Sequence, residues 1–301
     1  RGKEDAGAHI NDEIDKKTNL PIISLHGKNK KPAKESLKDI DIIVFDIQDV
    51  GARFYTYIST LHLVLEAASE ENIKVLVLDR PNPNGHYIDG PILEKEYESF
   101  IGKHPIPIVH GMTIGEYAKM IIGEKWIDKK CDLVIIKMLN YNRQEIYNLP
   151  IKPSPNLPNK RSINLYPSLC LFERTIVSIG RGTDFPFQHF GAPFIKSDYS
   201  FTPQSGDGSK YPKHENKTCF GKDLRIQKNI LNSLNIDWLI ECYNQSPNKK
   251  EFFTLNFDKL AGTDKLRKQI TAGLTSKNIK KSWQEGLTDF KNIREKYLIY
   301  R

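Results

Sequence analysis

The chain has 301 residues, 39% of them hydrophobic and 27% charged, with a formal net charge of +8 at pH 7. That length supports one large or two ordinary domains around a sizeable core, and the composition excludes a disordered chain. No apolar run nears the roughly 20 residues needed to cross a bilayer, so no transmembrane segment is expected.

The expected strands come early. Residues 21–25, 42–47, 74–79 and 132–138 are short, rich in β-branched residues and apolar throughout, as in parallel strands covered on both faces. Helical patterns lie between them. Phe54, Ile58, Leu61, Leu65 and Ala68 keep a spacing of three or four and form one apolar stripe. Thr113 with Glu116 three residues on is a capping box that opens a helix over 114–122. Alternation of this kind predicts an α/β fold with a doubly wound sheet. From residue 148 the texture changes: four prolines in eleven residues rule out regular structure and mark the crossing into a second domain. That domain opens with a glycine-rich stretch (179–193), continues through a loop-rich middle and ends in helices over 236–244, 264–274 and 276–297. Ile279, Trp283, Leu287, Phe290 and Tyr297 keep helical spacing and read as packing rather than a sugar platform.

Charge and cysteines say little about partners. The lysines are spread along the chain, and the one dense run, residues 28–34, is loop-like and contains Pro32. A solvated basic face is the plainer reading, and it would steer anionic saccharides or cell-wall polymers. No nucleic acid is expected as a partner; salt-sensitive retention on DNA would be the contrary sign. Cys131, Cys170, Cys219 and Cys242 are too far apart for a zinc signature. Cys131 and Cys170 lie beside apolar residues and read as core thiols. The opening Arg1-Gly2-Lys3-Glu4-Asp5 resembles neither a signal peptide nor a domain start, so a longer parent polypeptide is expected.

Polar knots follow the apolar runs. The richest holds Asp46, Gln48, Asp49, Arg53, Tyr55 and Tyr57, straight after the run 42–45. Ligands of open α/β sheets sit outside the carboxyl ends of the strands, where this knot falls. A second knot, residues 79–85, uses two prolines and a glycine to fix a tight loop presenting Arg80, Asn82 and Asn84. His110 to Thr113 precede a helix whose first amides favour an anion. Ser154 to Asn156, and Arg181 to Asp184 with Gln188, complete the set. Each has a plainer reading: a strand-end aspartate often caps a helix or pairs with an arginine, His110 alone would be structural, and Asn82 and Asn84 could be turn formers. The segment 180–182 lacks the ending and spacing of a phosphate loop, and no dinucleotide fingerprint follows an early strand. Asp46, Asp49 and His110 offer metal ligands without the spacing of any metal motif; neither a metal nor a cofactor is expected. Asn, Gln, Arg, Tyr and carboxylate together are what sugar binding and glycosidic cleavage need.

Seven motifs then occur in one order: DIQDVGARFYTY (46–57), DRPNPNG (79–85), DGPILEKEYESFIG (89–102), PIPIVHGMTIGE (105–116), PSPN (153–156), YPSLCLFERT (166–175) and GRGTDFPFQHFGAPF (180–194). Together, and over the whole chain, they resemble the NamZ-type exo-β-N-acetylmuramidases, a bacterial family. The resemblance implies a Rossmann-like domain over 1–148, short of its first β-α elements, and a smaller α+β domain over 149–301 that completes the cleft. It implies release of N-acetylmuramic acid from the non-reducing ends of peptidoglycan fragments, in a periplasmic or secreted location. Family members usually carry Gly-Pro-Glu-His-Gly just before the Arg-Gly with which this chain opens, and its glutamate is the family's strongest candidate acid. Asp89 stands where the family has glutamate, and Arg174 where it has glycine, which puts the local turn in doubt.

On this reading Asp49 and Asp46 are acid/base or acetamide-orienting groups, with Tyr55 beside them as the third catalytic candidate. Gln48, Tyr57, Asp89, His110 and Asp184 join the sugar site; Asn82, Asn84, Asn156 and Gln188 bind hydroxyl or acetamido groups. Arg53, Arg80 or Arg181 would suit the lactyl carboxylate of muramic acid. The alternative is a saccharide-binding module that holds muramyl fragments without cutting them.

Overall fold

The structure is a computed structural model that describes residues 11–27, 29–227 and 229–300. Arg1 to Asp5 and Lys28 lie outside the described residues. Glu13–Ile14 (β1) and Pro21–Ile22 (β2) form a short antiparallel ribbon. The strand expected at 21–25 therefore does not join the parallel sheet. A turn with Asn19 at φ 56, held by the Thr18 hydroxyl on Asp15, closes the ribbon locally instead.

Ile42–Phe45 (β3), Lys74–Leu78 (β4) and Leu133–Ile136 (β5) form the expected parallel sheet in the order β3-β4-β5, with Phe45 opposite Val77 and Leu78 opposite Ile136. Tyr57–Glu70 (α1) connects the first pair and Ile114–Gly123 (α2) the second. Both crossovers advance the same way across the sheet, and right-handed crossovers that do so place their helices on one face. Phe45, Val75 and Val77 accordingly share a core with Ile58, Leu61 and Leu65 of α1 and Tyr117, Met120 and Ile121 of α2. On the other face Ile42, Val44, Val134 and Ile136 are exposed. Double covering, expected from the apolar runs, is not found among the described residues. The α1 stripe is buried from Ile58 to Ala68, while Phe54 precedes the helix and packs edge-on to Tyr166. The capping box at Thr113 and Glu116 forms as predicted.

Residues 148–158 are irregular, as the prolines require. An unanticipated helix follows, Lys160–Leu169 (α3), capped by Asn159 and containing Pro167. Proline has no N–H for the carbonyl four residues back. That carbonyl, on Ile163, accepts from Asn84 Nδ2 at 3.0 Å instead. A 3-10 turn, Cys170–Arg174, ends where the Thr175 hydroxyl donates to the Phe172 carbonyl. Arg174 adopts it without a positive φ, so glycine is not required there.

His189–Ala192 (β6), Tyr199–Phe201 (β7) and Cys219–Asp223 (β8) make an antiparallel sheet in the order β6-β8-β7. The chain ends in six helices: Asp237–Gln245 (α4), Lys249–Phe252 (α5), Phe257–Ala261 (α6), Lys265–Thr271 (α7), Ser276–Lys281 (α8) and Gln284–Glu295 (α9). The single helix expected over 276–297 is thus two, but Ile279, Trp283, Leu287 and Phe290 are buried as packing residues. No described helix is long and apolar enough to cross a membrane.

The second core matters most for function. It is built from the C-terminal half, yet it also takes in Val50, Ala52, Phe54, Tyr87, Ile108 and Val109. The loops beyond the sheet's carboxyl end are therefore wedged between the two cores.

Candidate active site

The loop after β3 turns inward because of Gly51. Its φ is +78, and a Cβ there would lie 2.1 Å from Asn82 Oδ1, so both conformation and space demand glycine. The turn lets the Gly51 amide donate to Asp49 Oδ2 at 2.6 Å. Ala52 bridges to Val109, and the Arg53 amide donates to the Ile108 carbonyl at 2.8 Å, which pins the loop to the segment bearing His110. Asp49 is buried, and its Oδ1 has no hydrogen-bond partner.

His110 faces it. The Met112 amide donates to His110 Nδ1 at 3.2 Å, which assigns the ring proton to Nε2. That Nε2 stands 3.8 Å from Asp49 Oδ2 and is also without a partner. Burial pushes the Asp49 carboxyl up to about 7, with the Gly51 and Val50 amides opposing the rise. Burial, helped by the charges of Arg294 and Arg53, pushes His110 down to about 3. The pair at neutral pH is thus a carboxyl able to hold a proton beside a neutral imidazole that presents an N–H. Such a carboxyl can protonate a leaving oxygen and take the proton back from water.

An aromatic wall extends from this corner. The rings of Tyr57 and Tyr55 meet edge-on at 5.2 Å, Tyr55 meets Tyr166 of α3 at 5.7 Å, and Tyr166 meets Phe187 at 5.1 Å. The Tyr55 hydroxyl donates to the Pro153 carbonyl at 2.9 Å. Burial raises Tyr55 and Tyr57 above the ordinary phenol range, so both are neutral. Four of the predicted knots come together along this wall: the loop from 46 to 57, His110, residues 153–156 and the glycine-rich loop. Gln48 joins it to the loop after β4, donating through Nε2 to the carbonyls of Asp49 (2.7 Å) and Pro81 (2.8 Å).

Several predicted ligand contacts are instead structural. Arg53 is fully buried, and its guanidinium donates to the carbonyls of Pro91, Ile106, Leu260 and Ala261, which ties the β3 loop to α6 and removes it from any carboxylate-binding role. Asn82 is spent on the Met112 carbonyl and the Asn84 amide, and Asn84 on the carbonyls of Val50 and Ile163. Asp89 accepts from the amides of Gly90 and Leu234 and faces Lys280 Nζ at 3.5 Å. The anion at the α2 N-terminus is the protein's own: Asp79 accepts from the Gly115 amide and the Thr113 hydroxyl. Asp46 is nearly half exposed and paired with Arg80 at 2.6 Å, outside the buried corner. Asn156 Nδ2 donates to the Gly208 carbonyl, Gln188 Oε1 accepts from Asn159, and Asp184 is exposed. Three residues of the site were not singled out from the sequence: Tyr117, whose ring backs His110 at 5.5 Å, Tyr166 and Glu173. Tyr166 and Glu173 lie inside the motif at 166–175, which held the only available signal. Among the described residues no group of three or more His, Cys, Asp or Glu is placed to hold a metal ion.

Comparisons agree with this architecture. Residues 1–161 match the N-terminal domain, and residues 164–300 the C-terminal domain, of the exo-beta-N-acetylmuramidase NamZ. The peptidoglycan beta-N-acetylmuramidase NamZ of Bacillus subtilis is 42% identical over 327 residues, covering 100% of this chain and 77% of that protein. Two crystal structures of DUF1343 family proteins from Bacteroides fragilis superpose with TM-scores of 0.90 (47% identity) and 0.83 (29% identity), each over 96% of this chain and 82% of theirs. With both domains matched and a relative of this identity along its entire length, the chain belongs to the NamZ exo-β-N-acetylmuramidase family.

Proposed function

We propose that this protein is a glycosidase that releases N-acetylmuramic acid from the non-reducing ends of peptidoglycan fragments. The observation that carries the reading is the 42% identity, along the whole chain, to a peptidoglycan beta-N-acetylmuramidase. The buried Asp49–His110 corner supplies the chemistry.

Protonated Asp49 gives its proton to the glycosidic oxygen as the bond from the anomeric carbon breaks. Water, or the substrate's own acetamido oxygen, takes the vacated position on that carbon. The His110 N–H offsets the charge left on Asp49, and the proton released from water restores the carboxyl. Neutral Tyr55 and Tyr57 line the sugar's path from this corner. A substrate drawn from the cell wall would suit a periplasmic or secreted enzyme, and we propose that location; fractionation of cells producing the full polypeptide tests it directly.

The deciding assay uses a chromogenic β-N-acetylmuraminide. Turnover by the wild type, with free N-acetylmuramic acid as product, is the expected result. Binding of muramyl fragments without any turnover would make the protein a saccharide-binding module instead.

A further inference from the structure

Of the three arginines that suit a carboxylate, Arg53 is fully buried with both Nη atoms on backbone carbonyls, and Arg80 lies on an open surface against Asp46. Arg181 differs from both. Gly180 and Gly182 flank it with φ of +77 each; a Cβ at the first would lie 2.2 Å from the His189 ring, and at the second 2.4 Å from the Gln204 carbonyl oxygen. This Gly-Arg-Gly turn has one packing, which sets the Arg181 side chain across Phe187, with the guanidinium carbon 5.1 Å from the ring centroid. Its Nε donates to Glu173 Oε1 at 2.6 Å. The rest of the fork is underused: Nη1 is buried without a partner, while the side chain as a whole is 24% exposed.

The surroundings favour an anion. Lys213 feels the charges of Glu173, Arg174 and Arg181, so three cations gather around one carboxylate. Lys213 is spent on the carbonyls of Phe172, Thr175 and Val177, so it contributes charge rather than a donor. Phe187, on which Arg181 rests, packs on Tyr166, and Tyr166 on Tyr55. The guanidinium is therefore the far end of the wall that begins beside Asp49.

We propose that Arg181 is the specificity determinant of the site, pairing with the free lactyl carboxylate of the muramyl residue while Glu173 holds it in place. The assignment rests on the muramidase reading for the identity of the ligand. It explains how a sugar site would separate muramic acid from glucosamine, which has no such carboxylate. A planar fork suits a carboxylate better than an ammonium does.

Calorimetry on the full chain tests it, using N-acetylmuramic acid and its lactyl methyl ester as paired probes. The wild type is expected to bind the acid more tightly than the ester. Arg181→Gln should weaken the acid by about tenfold to a hundredfold, the range for a lost charge-assisted hydrogen bond, and leave the ester unchanged. Arg181→Lys should fall between, and Glu173→Gln should weaken the acid selectively. An acid-to-ester ratio that stays at the wild-type value in Arg181→Gln overturns the assignment, as does a wild type that binds both alike. Should Arg181→Gln fail to fold on thermal melting, an unchanged ratio in Arg181→Lys overturns it equally. Turnover of the chromogenic muraminide is measured separately. A selective but inactive wild type would sink the hydrolase reading and leave Arg181 in place.

Discussion

Asp49 and Asp79 both lie just beyond the carboxyl end of a parallel strand, both are buried, and they do opposite jobs. Asp79 receives four donors: the amides of Gly115 and Arg80 on one oxygen, the hydroxyls of Thr113 and Tyr300 on the other. Asp49 receives the Gly51 amide on one oxygen and nothing on the other. Burial raises both carboxyls and backbone amides oppose the rise at both; at Asp79 the Thr113 and Tyr300 hydroxyls oppose it as well. A strand-end aspartate whose oxygens are all satisfied is a splice between strand and helix. One with an idle oxygen has an acceptor left for another group, which is why Asp49 is the acid we propose.

The largest expected effect breaks this contrast at Asp49. Asp49→Asn should lower kcat by about a hundredfold to ten-thousandfold, the usual contribution of a positioned acid, while the protein stays folded. Its pH behaviour sharpens the test. A carboxyl raised from 3.8 to about 7 costs the fold nothing below its unfolded value; the cost grows as pH rises from 3.8 to about 7 and is constant above that. That cost is at most about 4 kcal/mol. Wild-type activity should therefore fall on an alkaline limb near pH 7. Asp49→Asn should melt no lower than wild type at pH 5 and higher at pH 8. Equal melting temperatures at pH 8, or an unchanged rate, would return Asp49 to a structural role.

Next comes the saturated side. Glu116 is fully buried, pairs with Arg143 at 2.5 Å and accepts from the Thr113, Ile299 and Tyr300 amides. Glu116→Ala leaves the Arg143 cation buried and unpaired, at a cost of about 3–5 kcal/mol. The melting temperature should drop by on the order of 10 °C. The folded fraction should keep most of its kcat, because the network meets the Asp49 corner through a backbone contact, Arg143 on the Gly111 carbonyl beside His110, and not through Asp49 itself. A selective loss of kcat without a stability loss would erase the distinction between the two regions.

What could be read in advance follows the same divide. Local signals survived: the apolar runs of β3 to β5, the capping box of α2 and the stripe of α1. Long-range partnerships did not. Nothing near Arg53 in sequence shows that its guanidinium is filled by carbonyls of Leu260 and Ala261. Pro167 hid α3, because a proline argues against a helix unless something else satisfies the carbonyl it abandons. Strands as short as β6 and β7, with glycine in the ladder, carry too little alternation to stand out. The exposed face of the parallel sheet depends on the direction of its crossovers, which an apolar run does not encode.

Asn84 gives a smaller and more specific prediction. Asn84→Ala strips its amide from the Val50 and Ile163 carbonyls, which should cost about 1–3 kcal/mol in denaturant unfolding. Pro167→Ala would restore an N–H in reach of the Ile163 carbonyl. The double variant should recover about 0.5–1.5 kcal/mol relative to the sum of the single changes. Strict additivity would mean that α3 does not depend on Asn84 for that carbonyl.

The smallest effect is expected where the sequence first placed a catalytic acid. Asp46 and Arg80 form an ion pair with both side chains more than two-fifths exposed, and water screens such pairs to roughly 0–1 kcal/mol. Asp46→Asn should shift stability by no more than about 0.5 kcal/mol and kcat by less than about twofold. Solvent rather than distance separates the two carboxyl groups. Water reaches the Asp46–Arg80 pair and screens it, whereas Asp49 is closed off from water, and the proposed proton transfer needs the closed site. A tenfold fall in kcat for Asp46→Asn, with Asp49 intact, would show that substrate binding itself dries out the Asp46–Arg80 pair and draws it into the chemistry.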